Sequence, residues 1–172
     1  MRTLTEGLLH LARNEASRQS VSFECVNLSM LLKDVVDSLR PLAEDKGLKL
    51  IDKMLADDLT LMGDSDGLIR LFVNLLDNAI KYTEQGFITV SANPKDDNLL
   101  AVTVSDTGVG ITSEHLPHIF DRFYRVDQSR STNGSGLGLA IVQNVARAHG
   151  GNVAVESKVG QGTTFTVILS IE

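Results

Sequence analysis

The stretch Arg70-Leu-Phe-Val-Asn-Leu-Leu-Asp-Asn-Ala-Ile-Lys-Tyr-Thr83 has the spacing of an amphipathic helix. Asn74, Asn78 and Lys81 recur at i, i+4 and i+7, which places them within about 60° of one another around the helix axis. The opposite side is apolar and predicts packing on a sheet or core; it comprises Ile69, Phe72, Leu76, Ala79 and Ile80. Two carboxamides and a cation suit an anion or a hydrated metal ion. A surface helix with ordinary polar residues would show the same stripe.

A carboxylate with two following glycines comes next along the chain. Residues 99–105 read as a buried strand that ends in Asp106-Thr-Gly108-Val-Gly110. A carboxylate at a strand end can accept a hydrogen bond from the amino group of a ligand, while glycines let the backbone approach closely.

Two further glycine-rich segments follow. Gly134-Ser-Gly136-Leu137-Gly138 precedes a predicted helix, where free backbone N–H groups and the helix dipole can hold phosphate. Gly160-Gln-Gly162-Thr-Thr164 predicts a tight turn between strands. The sequence contains neither the P-loop pattern nor a dinucleotide fingerprint after a strand, so neither of those phosphate sites is expected.

Taken in order, these segments resemble the motifs of the ATP-binding catalytic domain of sensor histidine kinases. The stretch from Asn74 to Tyr82 resembles the N box of that family, and the stretch from Asp106 to Gly110 resembles its G1 box. Ile119-Phe-Asp-Arg-Phe-Tyr-Arg125 resembles the F box, and the segment beginning at Gly134 resembles the G2 box. With the last glycine turn, five motifs occur in the family's order.

The resemblance implies roles for the polar residues at the phosphate end of a bound nucleotide. Asn78 would ligate a Mg²⁺ ion that bridges the ATP phosphates, and Asn74 would support that metal or its waters. Lys81 and Arg125 would contact phosphate oxygens, so that Asn74, Lys81 and Arg125 form the implied catalytic set.

The resemblance also implies how the base and the remaining phosphate oxygens are held. Tyr82 would lie against the adenine, and Asp106 would accept a hydrogen bond from its amino group. The other implied nucleotide-binding positions are Gly108, Gly110, Arg122, Gly134, Gly136, Leu137, Gly138 and Thr164.

Asn74 separates two branches of the wider superfamily. ATPases that share this architecture place a glutamate at the equivalent position to activate water, and asparagine cannot act as a general base. The sequence therefore favours phosphoryl donation to another group over hydrolysis. Asp77 is the nearest carboxylate on the helix; it could assist as a base or be an ordinary exposed side chain.

The segment between the F box and Gly134 is polar and lacks periodicity, so it reads as a mobile loop, which the resemblance identifies as the ATP lid. Phe120, Phe123 and Tyr124 would form its hydrophobic pivot, although a core cluster would use the same residues.

The phosphoacceptor histidine of the family is not expected in this chain. The four histidines, His10, His115, His118 and His149, all lack the His-Glu-x-x-x-Pro-Leu context of that box. Leu4, Leu8 and Leu11 form a helical stripe that seeks a partner. By resemblance, residues 1–17 are the end of the second helix of a dimerisation domain, and residues 18–172 are the catalytic domain; a helix folded on its own domain is the alternative.

Composition agrees with a single globular catalytic domain. The 172 residues carry a formal net charge of −6, which argues against nonspecific nucleic-acid binding. Cys25 is the single cysteine, so an intrachain disulfide is excluded. Apolar runs are too short to cross a bilayer. By resemblance, this domain is cytoplasmic and the parent protein is anchored in the membrane.

The predicted fold is a two-layer α/β sandwich of the Bergerat type, with a mixed sheet on three main helices and a flexible ATP lid. Helices are predicted from residue 27 or 29 to 44, over 66–82 and over 137–148. Strands are predicted over residues 21–26, 48–54, 59–62, 87–91, 99–105, 152–158 and 163–170.

The implied function is binding of Mg-ATP and donation of its γ-phosphoryl group to a histidine on a separate dimerisation domain. The implied partners are that domain and a response regulator of a two-component system. A related serine kinase or anti-sigma regulator is one alternative, and a nucleotide-sensing interaction module is another.

Overall fold

The computed structural model describes residues 22–53, 58–126 and 135–172. Its elements, in chain order, are β1 (Glu24–Asn27), α1 (Leu28–Asp45), β2 (Lys49–Asp52), β3 (Thr60–Gly63), α2 (Ser65–Tyr82), β4 (Phe87–Asp96), β5 (Leu99–Asp106), α3 (Gly138–Ala148), β6 (Asn152–Lys158) and β7 (Gly162–Ser170). The predicted N-terminal helix over residues 1–17, the residues of the lid between 127 and 133, and Gly134 lie outside the described residues.

Five strands form one mixed sheet in the order β2-β4-β5-β7-β6. Strand β2 runs parallel to β4, and the remaining pairs are antiparallel. The buried side chains alternate along the inner strands, so one face of the sheet supplies the core; it includes Ile88, Val90, Val102, Val104 and Val167. The two-layer architecture with a mixed sheet and three helices is confirmed.

Helix α2 lies at the centre of the helix layer, in contact with both α1 and α3. Its apolar stripe is fully buried at Leu68, Leu71, Phe72 and Leu76. The prediction that Ile69 belongs to the buried side is wrong, because Ile69 is 39% exposed. It faces a groove between α1 and α2, and no layer formed by the described residues covers it.

Strands β1 and β3 form a separate two-stranded antiparallel sheet, which the sequence analysis did not predict as a pair. Helix α1 begins at the end of β1, where the Asn27 side chain accepts a hydrogen bond from the backbone N–H of Met30 at 2.9 Å. Of the two predicted starts of this helix, residues 27 and 29, the first is confirmed as the N-cap.

Strand β4 extends five residues beyond its predicted end at residue 91. Its second neighbour, β2, pairs with it only as far as Val90, so beyond that point the outer edge of β4 pairs with no described strand. Pro94, which lacks an N–H donor, is tolerated on such an edge. Among the described helices, none is both long and apolar enough to cross a bilayer.

The last turn of α2 is capped by a side chain from outside the helix. The Lys46 ammonium group donates hydrogen bonds to the carbonyl oxygens of Ile80 at 2.6 Å and of Lys81 at 2.9 Å. A cation at this position also complements the negative end of the helix dipole.

We expect Lys46→Met to lower the free energy of unfolding by about 1 kcal/mol, because the variant keeps the aliphatic stem and loses the charged hydrogen bonds. Urea unfolding measures the change. Lys49→Met is the matched control, since Lys49 is exposed on β2 and makes no side-chain hydrogen bond to another described residue. An equal loss of stability in both variants would contradict the capping role.

Candidate nucleotide-binding cleft

A cavity of about 390 Å³ opens between α2, the loop after β5, the F-box segment and the start of α3. The predicted site residues that line it are Asn74, Asn78, Lys81, Tyr82, Asp106, Gly110, Arg125, Gly136 and Gly138. Residues separated by more than 60 positions in sequence thus meet in one cleft.

The polar stripe of α2 faces this cleft. The side-chain amide nitrogen of Asn74 donates a hydrogen bond to the Arg70 carbonyl at 2.7 Å. The amide oxygen of Asn74, Oδ1, takes no part in this bond. The amide of half-buried Asn78 makes no hydrogen bond to any described residue. The Lys81 ammonium group has no ion-pair partner among them, and it lies 5.2 Å from the centroid of the Tyr82 ring.

The carboxylate of Asp106 is buried and held in one orientation. Its Oδ1 accepts hydrogen bonds from the backbone N–H groups of Gly108 at 2.8 Å and Thr163 at 3.3 Å. Its Oδ2 has no such bond within the described parts of the chain. Burial raises the pKa of the Asp106 carboxyl, and the two backbone hydrogen bonds lower it in part. The free oxygen can therefore accept a hydrogen bond from a ligand.

The loop after Asp106 packs so closely that it requires glycine. A Cβ atom on Gly108 would lie 2.3 Å from the Tyr82 carbonyl oxygen, and that oxygen accepts a hydrogen bond from Val109 at 3.1 Å. Gly110 has a φ of 73°, and a Cβ there would lie 2.2 Å from the Lys158 carbonyl oxygen. Gly108 does not line the cleft but fixes its wall.

The start of α3 closes another side of the cleft. The helix has no side-chain cap, so the N–H groups of its first turn are available to an anion. Gly138 lies close to the stripe on α2, because a Cβ atom on it would be 2.8 Å from Asn74 Oδ1. Gly138 therefore lets the start of α3 pack directly against the Asn74 side chain.

The F-box segment contributes both apolar and polar groups. Phe120 packs on Phe165 with perpendicular rings, 6.3 Å between centroids, consistent with its predicted part in a pivot. Tyr124 lines the cleft, and its hydroxyl lies 2.7 Å from Nδ1 of His115. Phe123 is exposed and has a φ of 65°; its N–H donates to the Gly136 carbonyl at 2.9 Å. The main chain on the two sides of residues 127–134 is thus held together.

Besides Gly108, three predicted residues within the described chain do not line the cleft. Leu137 is buried beneath the start of α3, and Arg122 lies on the surface. The prediction that Thr164 lines the cleft is wrong, and Thr163 lines it instead. Side chains alternate along β7, so the Thr164 hydroxyl points to the opposite face of the sheet, where it lies 2.8 Å from Ser105 Oγ. Phe165 is buried, and Thr163 lies two residues before it in the strand, so both side chains point to the same face of the sheet.

Several lining residues were not predicted from the sequence because they are apolar or small. They include Val109, Ile111, Ile119, Val126, Ser135 and Leu139. Hydrophobic pattern alone cannot separate the wall of a cleft from a core.

The donor set fits a hard cation held together with phosphates. The described residues contain no group of three His, Cys, Asp or Glu side chains placed to hold a metal ion. The amide oxygens of Asn74 and Asn78 are suitable ligands for Mg²⁺, which keeps several waters and takes its other oxygens from substrate phosphates.

Comparison with known proteins agrees with this geometry. Residues 63–172 match the family described as histidine kinase-, DNA gyrase B-, and HSP90-like ATPases. The sensor histidine kinase CusS of Escherichia coli is 41% identical over 171 residues, covering 98% of this chain and 35% of CusS. The sensor histidine kinase YkoH of Bacillus subtilis is 37% identical over 99% of the chain and 37% of YkoH. The chain thus spans about a third of the length of these curated relatives.

Solved structures give the same result. Full-length ShkA in complex with AMPPNP superposes with a TM-score of 0.85 at 32% identity, over 97% of this chain and 35% of ShkA. The mycobacterial sensor histidine kinase MprB superposes with a TM-score of 0.75 at 29% identity, over 86% of this chain and 97% of that structure. On the family match, the cleft and these superpositions, the chain belongs to the histidine kinase-, DNA gyrase B- and HSP90-like ATPases, and its similarity within them is to the catalytic domains of sensor histidine kinases.

Proposed function

We propose that this domain binds Mg-ATP and donates the γ-phosphoryl group to a histidine on a separate dimerisation domain. The observation that carries the proposal is that one cleft holds both a group suited to an adenine base and groups suited to a polyphosphate. Asp106 presents one free carboxylate oxygen beside apolar walls, which suits an adenine amino group. Lys81, Arg125 and the uncapped start of α3 line the same cleft and suit a polyphosphate.

In this proposal the residues of α2 and α3 bind and orient the triphosphate. Asn78 would ligate a Mg²⁺ ion through its amide oxygen, and Asn74 would support that ion or its waters. Lys81 and Arg125 would contact phosphate oxygens. When bound, Mg²⁺ neutralises charge on the phosphates. Tyr82, exposed at the rim of the cleft, covers the base.

The chemistry favoured by this cleft is transfer to an outside nucleophile. Asn74 carries no lone pair basic enough to take a proton from water, so no base is provided at the position where hydrolysing relatives need one. An imidazole nitrogen of the acceptor would form the new N–P bond as the bond from γ-phosphorus to the bridging oxygen breaks, with ADP leaving and the imidazole losing a proton. The similarity to sensor histidine kinases supports this acceptor class.

The wider setting follows from the same proposal. We infer a two-component system in which the acceptor domain passes the phosphoryl group to a response regulator. The parent protein would be membrane-anchored, with this domain in the cytoplasm.

Asn78→Ala tests the metal assignment. We expect it to weaken ATP binding about tenfold or more in Mg²⁺, because an oxygen ligand is lost, and to change binding little in EDTA. Titration calorimetry measures both affinities. Asn144→Ala is the control, since Asn144 is an exposed amide on α3 that does not line the cleft. The same Mg²⁺ dependence in Asn78→Ala and wild type would argue against this ligand.

Transfer is tested by supplying the acceptor separately. The chain is incubated with γ-labelled ATP and the helical dimerisation domain of its parent protein. Acid-labile label on a histidine of that domain supports the proposal. Phosphoserine on a partner would support a serine kinase instead, and ATP binding without transfer would support a nucleotide-sensing module.

A further inference from the structure

Ser157 on β6 lies outside every predicted motif, and its hydroxyl joins three segments behind the cleft. It donates a hydrogen bond to the Gly162 carbonyl at 3.1 Å and accepts one from the Ile111 N–H at 2.8 Å. It also lies 2.8 Å from Thr163 Oγ1. A hydroxyl has one donor and two acceptor positions. If the Thr163 hydroxyl donates the third bond, every position of the Ser157 hydroxyl is used.

The segments that Ser157 joins are those that hold Asp106. The glycine loop that ends at Ile111 supplies the Gly108 N–H to Oδ1, and the β6–β7 turn supplies the Thr163 N–H to the same oxygen. The two segments also bind each other directly, since Gly160 donates to the Val109 carbonyl at 2.8 Å. Like Asp106 itself, Ser157 bonds to both segments through its side chain.

We propose that Ser157 is a positioning residue that sets the adenine selectivity of the cleft by fixing the two N–H groups that orient the Asp106 carboxylate. This inference rests on the proposed function. Ser157 does not line the cleft, so it acts on a nucleotide only through the groups that it holds in place, and Asp106 is the one among them that can recognise the adenine amino group. Without its hydroxyl, the loop and the turn can separate, and Oδ2 no longer keeps one direction toward the base.

The test compares ATP with inosine triphosphate, in which an oxygen replaces the amino group of adenine. We expect Ser157→Ala to weaken ATP binding about threefold to tenfold, the effect of about one hydrogen bond, while the affinity for inosine triphosphate changes less than about twofold. A merely structural role would weaken both nucleotides equally. Ser157→Thr, which keeps the hydroxyl, should restore the selectivity.

Ser105→Ala is the matched control. It removes one hydroxyl pair, to Thr164 at 2.8 Å, next to Asp106 in sequence but on the opposite face of the sheet. We expect it to leave the ratio of the two affinities unchanged. In an Asp106→Asn background, Ser157→Ala should have no further effect on the ratio.

Equal affinities of wild type and Ser157→Ala for ATP, or an equal loss for both nucleotides, would overturn the positioning role while leaving the proposed function intact. Failure of the wild-type chain to bind ATP at all would overturn the proposed function and the inference together.

Discussion

Asp106→Asn is expected to weaken ATP binding by about tenfold to about a hundredfold, the effect of losing a hydrogen bond to a charged acceptor. The asparagine Oδ1 can still accept from Gly108 and Thr163, which occupies it. The amide nitrogen then stands where Oδ2 stood, and it presents a donor to the donor amino group of adenine. Titration calorimetry with Mg-ATP measures the loss.

The control for charge alone is Asp34→Asn, an exposed carboxylate on α1 that does not line the cleft. It should bind ATP as the wild type does. If Asp106→Asn bound ATP with unchanged affinity, the carboxylate would not recognise the base, and the nucleotide assignment of the cleft would lose its main support.

Loss of binding in Asp106→Asn should not come from unfolding. Because burial raises the pKa of Asp106, folding favours its protonated form. The stabilisation is fully present below the ordinary pKa of an aspartate and is lost as pH rises through the raised folded-state value. The asparagine variant does not ionise, so we expect it to be at least as stable as the wild type at neutral pH in urea unfolding.

Gly162→Ala is expected to lower the free energy of unfolding by about 3 kcal/mol or more. Gly162 has a φ of 106°, outside the region that alanine adopts, and its Cβ would lie 1.9 Å from the Asp106 carbonyl oxygen. That oxygen belongs to backbone within the sheet, so relief requires the end of β5 to move away from β7.

Gly160 provides the matched control in the same turn. It also has a positive φ, 75°, but a Cβ there meets no atom within 4 Å. Gly160→Ala should therefore cost only the strain of the left-handed conformation, about 1 kcal/mol. Equal losses for the two variants in urea unfolding would show that the close approach to Asp106 has no energetic weight.

The fold was largely predictable where hydrophobic period and turn residues agree. The period of α2 and the limits of β6 follow directly from their sequences, because each element buries one face. The extension of β4 past Pro94 was not predicted, because a proline is tolerated within this strand only where β2 no longer pairs with it. The pairing of β1 with β3 was not predicted either, because it joins segments more than thirty residues apart.

The candidate cleft was predictable at its motif residues and not at its supports. Asn74, Asn78 and Asp106 differ chemically from their surroundings. Their spacing allowed either a ligand site or an ordinary polar surface, and the order of the motifs along the chain favoured the ligand site. Ser157 and Lys46 act through bonds to distant backbone, which no local pattern reveals. Thr164 was predicted and Thr163 was not, because the face on which each β7 side chain lies is fixed by the neighbouring strands of the sheet.

The sheet order has a consequence for how this domain is made in the cell. Strand β7 comes last in chain order yet lies between β5 and β6, where it closes both ladders and supplies Thr163 to Asp106. A growing polypeptide therefore carries an open edge on β5 until residues 162–170 have left the ribosome, which invites mispairing in the interval. Competence to bind a nucleotide would then arise only once β7 has joined the sheet.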